Sequence, residues 1–276
     1  MFILRFLSSV AWIVFSYAVI YLFPLWVFRL VVTVLVGLGL FEFYSLAEKK
    51  GFRVGKYFAT AMGILIPLLA YREVLTPRTQ AAYPFFTALF FLVFFGYQFA
   101  KGKNEGSLAG LSVTVAGIVY VSVLFSFLIP LRIEASHWVA YLLLVTKGGD
   151  IGAYMVGSTL GRHPLTPRVS PNKTIEGTVA GILTSIVVSL LAFRFLLKGR
   201  LPFAAGETFL WIAFASLGLL LGVVGFLGDL AESLIKRDCQ TKDTRKFIPG
   251  MGGILDVIDS LLFTTPLFYA VVRFVR

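Results

Sequence analysis

Five acidic side chains lie within or at the ends of long apolar segments, where an ionised group is least expected. They are Asp150, Asp229, Glu232, Asp256 and Asp259. On insertion scales an acid at the centre of a membrane helix costs about 3 kcal/mol, so such residues are usually functional. The members of the pairs Asp229/Glu232 and Asp256/Asp259 are three positions apart and share a helix face. We therefore predict that two adjacent helices bring four carboxylates together.

Such a cluster repels itself unless protons or cations intervene. The chain has only two histidines and one cysteine, so a zinc or copper site of nitrogen and sulfur ligands is hard to assemble. A few carboxylates together with substrate phosphates are the usual setting for Mg²⁺. The pattern predicts a hard cation, chiefly Mg²⁺, with a second cation left open, and it indicates phosphate chemistry.

A basic loop joins the two acidic segments. Its five cations are Lys236, Arg237, Lys242, Arg245 and Lys246, and three glycines follow at Gly250, Gly252 and Gly253. The cations can hold a polyphosphate, and glycines let backbone N–H groups approach phosphate oxygens at a helix start. Taken alone, these cations would be markers of the cytoplasmic side. Because carboxylate pairs flank them, we favour phosphate binding.

A second polar loop supplies Ser170, Lys173, Thr174 and Glu176. Ser170 stands before a proline and predicts the start of a helix. Lys173 and Thr174 can meet a phosphate. Upstream, Asp150 lies near the middle of an apolar segment, and Lys147, about one turn before it, is its expected ion-pair partner.

The elements that must position these residues are membrane helices. The chain is 58% hydrophobic and 14% charged, with a mean hydropathy of +0.88, whereas soluble domains contain about 25% charged residues. The apolar runs are continuous and about twenty residues long, which favours helices over a β-barrel. We predict an all-α, polytopic transmembrane bundle of about nine spans: 3–23, 26–47, 57–71, 81–100, 108–130, 137–157, 177–197, 208–235 and 254–274. The glycine pairs Gly177/Gly181 and Gly218/Gly222 have the spacing of close helix packing.

Basic residues set the expected orientation. With the N-terminus inside, fifteen lysines and arginines fall on one side and nine on the other, which places the loops 158–176 and 236–253 in the cytoplasm. In so apolar a chain, the net charge of +11 indicates loops that face anionic lipid headgroups rather than nucleic acid. The single cysteine, Cys239, excludes an intramolecular disulfide.

Several stretches together form a longer pattern. They are Asp150-x-Gly152-Ala153-Tyr154, Ser170-Pro171-x-Lys173-Thr174-x-Glu176-Gly177, Gly228-Asp229-Leu230, Ser233-Leu234-Ile235-Lys236-Arg237, Lys242-Asp243, Pro249-Gly250, Gly252-Gly253-Ile254-Leu255-Asp256 and Asp259. This pattern resembles the signature of the phosphatidate cytidylyltransferases, also called CDP-diacylglycerol synthases. The resemblance covers most of the chain, and Glu42-Phe43-Tyr44 fits the family's second span.

The resemblance implies that CTP and phosphatidic acid react to give CDP-diacylglycerol and pyrophosphate. It implies a metal site at Asp229, Asp256 and Asp259. The implied catalytic residues are Asp229, Lys236, Arg237, Lys242, Asp243, Asp256 and Asp259. The implied substrate-binding residues are Asp150, Ser170, Lys173, Thr174, Glu176, Ser233, Gly252 and Gly253.

The same resemblance implies a protein of the cell (inner) membrane whose site faces the cytoplasm. Its partners would be CTP, phosphatidic acid and membrane lipid, without nucleic acid and with a homodimer left open. We expect an N-terminal group of helices in 1–130 and a C-terminal group with the cytoplasmic catalytic loops in 131–276. Two positions depart from the pattern, because Met251 replaces a usual histidine and Val257 a usual arginine, and we expect these changes to alter activity.

Two alternatives remain at this point. A polyprenol or lipid kinase, or another lipid-phosphate transferase, would use similar residues, and pyrophosphate release separates it from a cytidylyltransferase. The CDP-alcohol phosphotransferases need a glycine where Ser260 stands. An ion-coupled transporter can also use intramembrane acids, but no internal repeat of the kind common in transporters is present.

Overall fold

The computed structural model describes residues 12–69, 91–92, 94–96, 99, 106–200, 206–241 and 252–275. Within these residues the chain forms eight principal helices and one β-hairpin. The helices are α1 Trp12–Leu22, α2 Leu25–Lys49, α3 Lys56–Leu69, α4 Ser107–Glu134, α5 Ser136–Leu160, α6 Ile175–Leu197, α7 Glu207–Asp238 and α8 Ile254–Val275. The hairpin pairs β1, Pro164–Thr166, with β2, Ser170–Thr174, in antiparallel fashion.

Six of these helices, α2 and α4 to α8, are long and apolar enough to cross a membrane. The predicted all-α membrane class is therefore confirmed. The predicted count of nine spans is not confirmed. The first and third predicted spans correspond to the shorter helices α1 and α3, and most of the fourth, 81–100, lies outside the described residues.

The core is built around α2. Val36, Leu40 and Tyr44 on this helix are fully buried, and the Tyr44 hydroxyl donates a hydrogen bond to the carbonyl of Thr114 in α4 (2.7 Å). Residues on α8, among them Leu255, are buried in the same cluster. The position of α8, which carries two of the predicted site acids, is therefore fixed by the N-terminal helices.

The loop after α5 differs from what the sequence predicted. Ser170 does not begin a helix but begins strand β2. A hairpin has two edge strands, and edge strands tolerate the missing N–H of Pro171. The helix begins at Ile175, and the Thr174 hydroxyl caps it by accepting the N–H of Gly177 (3.1 Å).

Helices α5, α6 and α7 pack side by side through small residues, as the glycine spacing predicted. A Cβ atom added to Gly181 of α6 would lie 2.8 Å from the Cβ of Ala153 in α5. One added to Gly218 of α7 would lie 2.7 Å from the Cβ of Ser189 in α6. Both distances are shorter than carbon atoms tolerate, so these glycines allow the helices to approach closely.

The glycine contacts lead to a stability prediction. We expect Gly181→Ala to destabilise the protein by about 1–2 kcal/mol, because an added methyl group overpacks the α5–α6 contact. The control is Gly225→Ala in α7, where an added Cβ meets its nearest neighbour at an ordinary 3.4 Å. Thermal unfolding of the purified variants in detergent measures the difference. Equal midpoints for the two variants would contradict the packing account.

Candidate active site

Helices α7 and α8 bring three carboxylates to one point. Asp229, Glu232 and Asp259 each offer an oxygen, and these oxygens all lie within 4.8 Å of one another. Glu232 is 1% exposed and Asp259 is 6% exposed. The helices approach closely here because Gly228 has no side chain: a Cβ atom there would lie 2.6 Å from the backbone oxygen of Asp259.

The donor set of this cluster fits a hard divalent cation. Three carboxylates supply the oxygen ligands that Mg²⁺ prefers. Asp259 accepts the N–H of Ser260 (2.6 Å) and forms no ion pair with a described residue. Oε1 of the buried Glu232 accepts no hydrogen bond within the described part of the chain. A buried carboxylate without an ion pair among the described residues, such as Asp259, requires a nearby cation or a proton.

Asp256 has different partners. The Lys236 ammonium lies 2.6 Å from Oδ1 of Asp256 and 2.5 Å from Oε2 of Glu232. The other oxygen of Asp256 accepts the N–H of Gly253 (2.7 Å). Gly252 has φ +98°, a conformation that favours glycine, so the chain can turn tightly into α8. The described three-carboxylate cluster thus contains Glu232 rather than Asp256, and a metal role for Asp256 stays a prediction.

The β-hairpin is tied to α7 beside the carboxylate cluster. The Lys173 ammonium of β2 lies 2.8 Å from Asp229 and 5.4 Å from the ring centre of Phe226. Nε of Arg237 donates to the carbonyl of Val169 in the hairpin turn (3.1 Å). The structure therefore brings Lys173, Asp229 and Arg237 to the same end of α7, and their binding of phosphate stays a prediction.

The remaining predicted residues lie around this centre or outside the described part. Glu176 accepts the backbone N–H groups of Arg162 (3.2 Å) and His163 (3.3 Å), so it closes the base of the hairpin. Ser170 and Ser233 are half-buried, on β2 and α7. Lys242 and Asp243 lie outside the described residues.

A cavity of about 380 Å³ opens beside the cluster, between α5, α6 and α7. Near the hairpin its wall includes Asp150, Lys173, Thr174 and Asp229. Further along the helices the wall is formed largely by glycines and other small or apolar residues, among them Leu221. The cavity is therefore charged at one end and mostly apolar along its length, as an amphipathic ligand requires.

Asp150 belongs to a hydrogen-bonded triangle that joins α5 to α8. The Lys147 ammonium donates to Asp150 (2.8 Å) and to the hydroxyl of Ser260 (2.8 Å). That hydroxyl in turn lies 3.0 Å from Asp150. The predicted ion pair between Lys147 and Asp150 is confirmed, and its link to the residue after Asp259 is a finding of the structure.

Glu42 is a site residue to which the sequence reasoning gave no role. It is fully buried on α2, and its two carboxylate oxygens accept the N–H groups of Ile254 (2.9 Å) and Leu255 (2.8 Å). These bonds satisfy two donors at the start of α8, which also favours a negative charge. The sequence contains a signal for such a role, because Glu42 is an acidic residue inside the predicted membrane span 26–47.

Removing this cap gives a second stability prediction. We expect Glu42→Ala to destabilise the protein by about 2–3 kcal/mol, because two buried N–H groups lose their acceptor. Glu42→Gln, which keeps one carbonyl oxygen, should fall between this variant and the wild type. The control is Glu48→Ala, which removes a partly exposed carboxylate that pairs with the Lys56 ammonium (2.9 Å) and accepts only one long hydrogen bond, from the Lys56 N–H (3.4 Å). Thermal unfolding in detergent measures the stability of each variant. If Glu42→Ala and the control unfold at the same midpoint, Glu42 does not stabilise the start of α8.

The cysteine does not add a second reactive centre to this part of the chain. Partial burial raises the pKa of the Cys239 thiol, and the nearby Asp238 raises it further. A thiol that stays protonated at neutral pH is a poor nucleophile and a poor metal ligand. The chemistry of the site therefore rests on carboxylates and lysines.

Comparisons with known proteins show the family of the chain. The sequence profile of the family described as the cytidylyltransferase family matches residues 3–275. A phosphatidate cytidylyltransferase from Chlamydia muridarum is 32% identical over 248 residues, which cover 85% of this chain and 79% of that protein. One from Synechocystis is 32% identical over 297 residues, covering 96% and 94%. One from Staphylococcus aureus is 38% identical over 165 residues, covering 60% of each chain.

Proposed function

The chain belongs to the cytidylyltransferase family, and from this premise we propose that it transfers the cytidylyl group of CTP to phosphatidic acid. The products are CDP-diacylglycerol and pyrophosphate. The observation that carries the proposal is the carboxylate cluster of α7 and α8, one member of which, Asp229, lines the charged end of the cavity between α5, α6 and α7. The relatives named phosphatidate cytidylyltransferase support the same reaction.

Asp229, Glu232 and Asp259 would hold the divalent cation of this reaction. Bound there, Mg²⁺ would neutralise part of the triphosphate charge and polarise the phosphoryl group under attack. The three carboxylates come from two helices that are packed against each other at Gly228. The proposed ligands would therefore need little movement to bind the cation, which would limit the reorganisation that the reaction requires.

The lysines around the cluster bring two polyanions together. Lys173 and Lys236 each pair with carboxylates of the site, so their ammonium groups stand where phosphate oxygens must approach. Such cations reduce the repulsion between the triphosphate and the lipid phosphate. Arg237, fixed through its bond to Val169, keeps the hairpin that carries Lys173 next to α7.

The transfer step needs no strong general base, because the lipid phosphate is already an anion. One of its oxygens forms a bond to the α-phosphorus of CTP. The bond from that phosphorus to the bridging oxygen breaks, and pyrophosphate leaves with the electron pair. What the chain supplies is orientation of the two phosphates and stabilisation of charge during transfer.

The cavity supports the assignment of the lipid substrate. Its charged end, with Asp150, Lys173 and Asp229, would receive the phosphate, and its apolar part would receive the adjoining glycerol and acyl groups. The proposal places the protein in the cell (inner) membrane with this end facing the cytoplasm, where CTP is present. Assembly as a homodimer remains part of the proposal, to be tested by the mass of the purified complex in detergent.

A pyrophosphate-release assay tests the function. The purified protein in detergent is given CTP, phosphatidic acid and Mg²⁺, and each is omitted in turn. We expect release only when all three are present, with CDP-diacylglycerol formed in equal amount. Release of pyrophosphate without phosphatidic acid, or none from folded protein, would contradict the proposal. A low rate would instead fit the loss of the family's usual arginine at Val257, which is half-buried on α8.

A further inference from the structure

Lys147 is a charged residue of the membrane helices to which the proposed reaction gives no role. It lies in the middle of α5, where a lysine is expensive unless it is paired. Its ammonium donates to Asp150 and Ser260 at 2.8 Å each, and these two partners are on different helices. The positive charge is therefore held in one position, next to the residue that follows Asp259.

The charges of the site balance only in part. With every carboxylate ionised, as metal binding requires, five carboxylates and three lysines leave two negative charges. The carboxylates are Asp150, Asp229, Glu232, Asp256 and Asp259, and the lysines are Lys147, Lys173 and Lys236. One divalent cation would complete this balance. Without Lys147 the same groups would carry three negative charges.

The electrostatic reach of Lys147 extends beyond its hydrogen-bond partners. Asp259 directly precedes Ser260, which accepts the hydrogen bond of the Lys147 ammonium. Asp229 follows Gly228, which packs against Ser260, and both acids belong to the three-carboxylate cluster. Asp259 has no ion pair of its own within the described residues. Lys147 is thus a nearby fixed cation for the most isolated carboxylate of the cluster.

We propose that Lys147 is a built-in cation of the active site, which limits the cluster of Asp229, Glu232 and Asp259 to one divalent ion. This inference rests on the cation site of the proposed function. Lys147 is a positioning residue: it holds Asp150 and Ser260 and lowers the negative charge that the metal meets. It does not need to touch either substrate.

The sign of one measurable effect separates this role from a structural one. If Lys147 only held the helices together, its loss would loosen the cluster and weaken metal binding. If it acts as a cation, its loss makes the cluster more negative and strengthens metal binding. We expect Lys147→Met and Lys147→Gln to bind Mn²⁺ at least about fivefold more tightly at low salt, since charges a few ångströms apart interact strongly near a protein interior.

The experiment titrates the full chain in detergent with MnCl₂ alone, and electron paramagnetic resonance counts the free ion. Lys147→Gln keeps hydrogen-bond donors for Asp150 and Ser260, so folding should survive in at least this variant. Lys147→Arg keeps the charge and should bind Mn²⁺ within about twofold of the wild type. The matched control is Lys198→Met, which removes an equal charge from the ion pair with Glu207 (2.6 Å) at the opposite end of α7.

The outcomes distinguish the two proposals. One Mn²⁺ per wild-type chain, with tighter binding in the Met and Gln variants only, supports the built-in cation. Unchanged or weaker binding in both neutral variants, or failure of both to fold, overturns it and leaves the metal site intact. No Mn²⁺ binding by the folded wild type overturns the metal site of the proposed function itself.

Discussion

Replacing Asp259 by asparagine is expected to lower the turnover rate at least about 1,000-fold, because the proposed cation would lose one of its charged ligands. The side chain is 6% exposed, and its oxygen lies within 4.8 Å of those of Asp229 and Glu232. Asparagine has the same shape and keeps an oxygen that can accept the N–H of Ser260. The change therefore removes charge with little change in packing.

Rates of pyrophosphate release at saturating Mg²⁺, with Mn²⁺ binding measured in parallel, test this expectation. The control is Glu207→Gln, which removes an equal charge from an exposed ion pair on α7 and should leave the rate unchanged. A rate for Asp259→Asn above about one tenth of the wild-type value would contradict a metal-binding role.

The second large effect is expected for Lys236→Met. The Lys236 ammonium lies 2.5 Å from a carboxylate oxygen of Glu232 and 2.6 Å from one of Asp256, and it neutralises both acids. Their side chains are only 1% and 15% exposed. Breaking a buried pair leaves uncompensated charge and costs about 3–5 kcal/mol. The same variant loses a cation that the proposal assigns to phosphate, so we expect the KM for CTP to rise at least about tenfold, consistent with the loss of a charge-assisted contact.

Thermal unfolding and the KM for CTP measure the two parts of this prediction. Lys236→Arg keeps the charge and should recover part of the stability. The control is Lys50→Met, because Lys50 forms a more exposed ion pair with Asp238, near the same end of α7. Two results would contradict this prediction. An unfolding temperature equal to that of the control would show that Lys236 does not stabilise the buried acids, and a wild-type KM would show that it does not bind CTP.

The pairing of the acids could be predicted from their spacing, because residues three apart on a helix share a face. Asp229 and Glu232 do lie together, and Asp259 joins them across Gly228. The sequence could not show that Asp256 would be joined to Glu232 through the Lys236 ammonium instead of lying among the three closest carboxylates. That outcome depends on Lys236, and on the turn at Gly252 and Gly253 that places a backbone N–H against Asp256.

The hairpin was missed for a local reason. A serine before a proline is typical of a helix start, and only the pairing of Thr166 with Ser170 shows that this segment is a strand. The hydrophobic pattern of the sequence could not predict the cavity either, because most of its wall comes from three helices whose relative rotation is set by packing. Glu42 caps a helix more than two hundred positions away in the sequence, a contact that no local pattern predicts.

Transfer of a cytidylyl group can be followed by the position of a radioactive label in CTP. The purified protein is incubated with phosphatidic acid, Mg²⁺ and CTP labelled either at the α-phosphorus or at the γ-phosphorus, and the lipid is extracted. We expect the α-label to enter the lipid while the γ-label leaves as pyrophosphate at the same rate. A γ-label in the lipid would identify a kinase instead, and no label in the lipid from folded protein would contradict the account altogether.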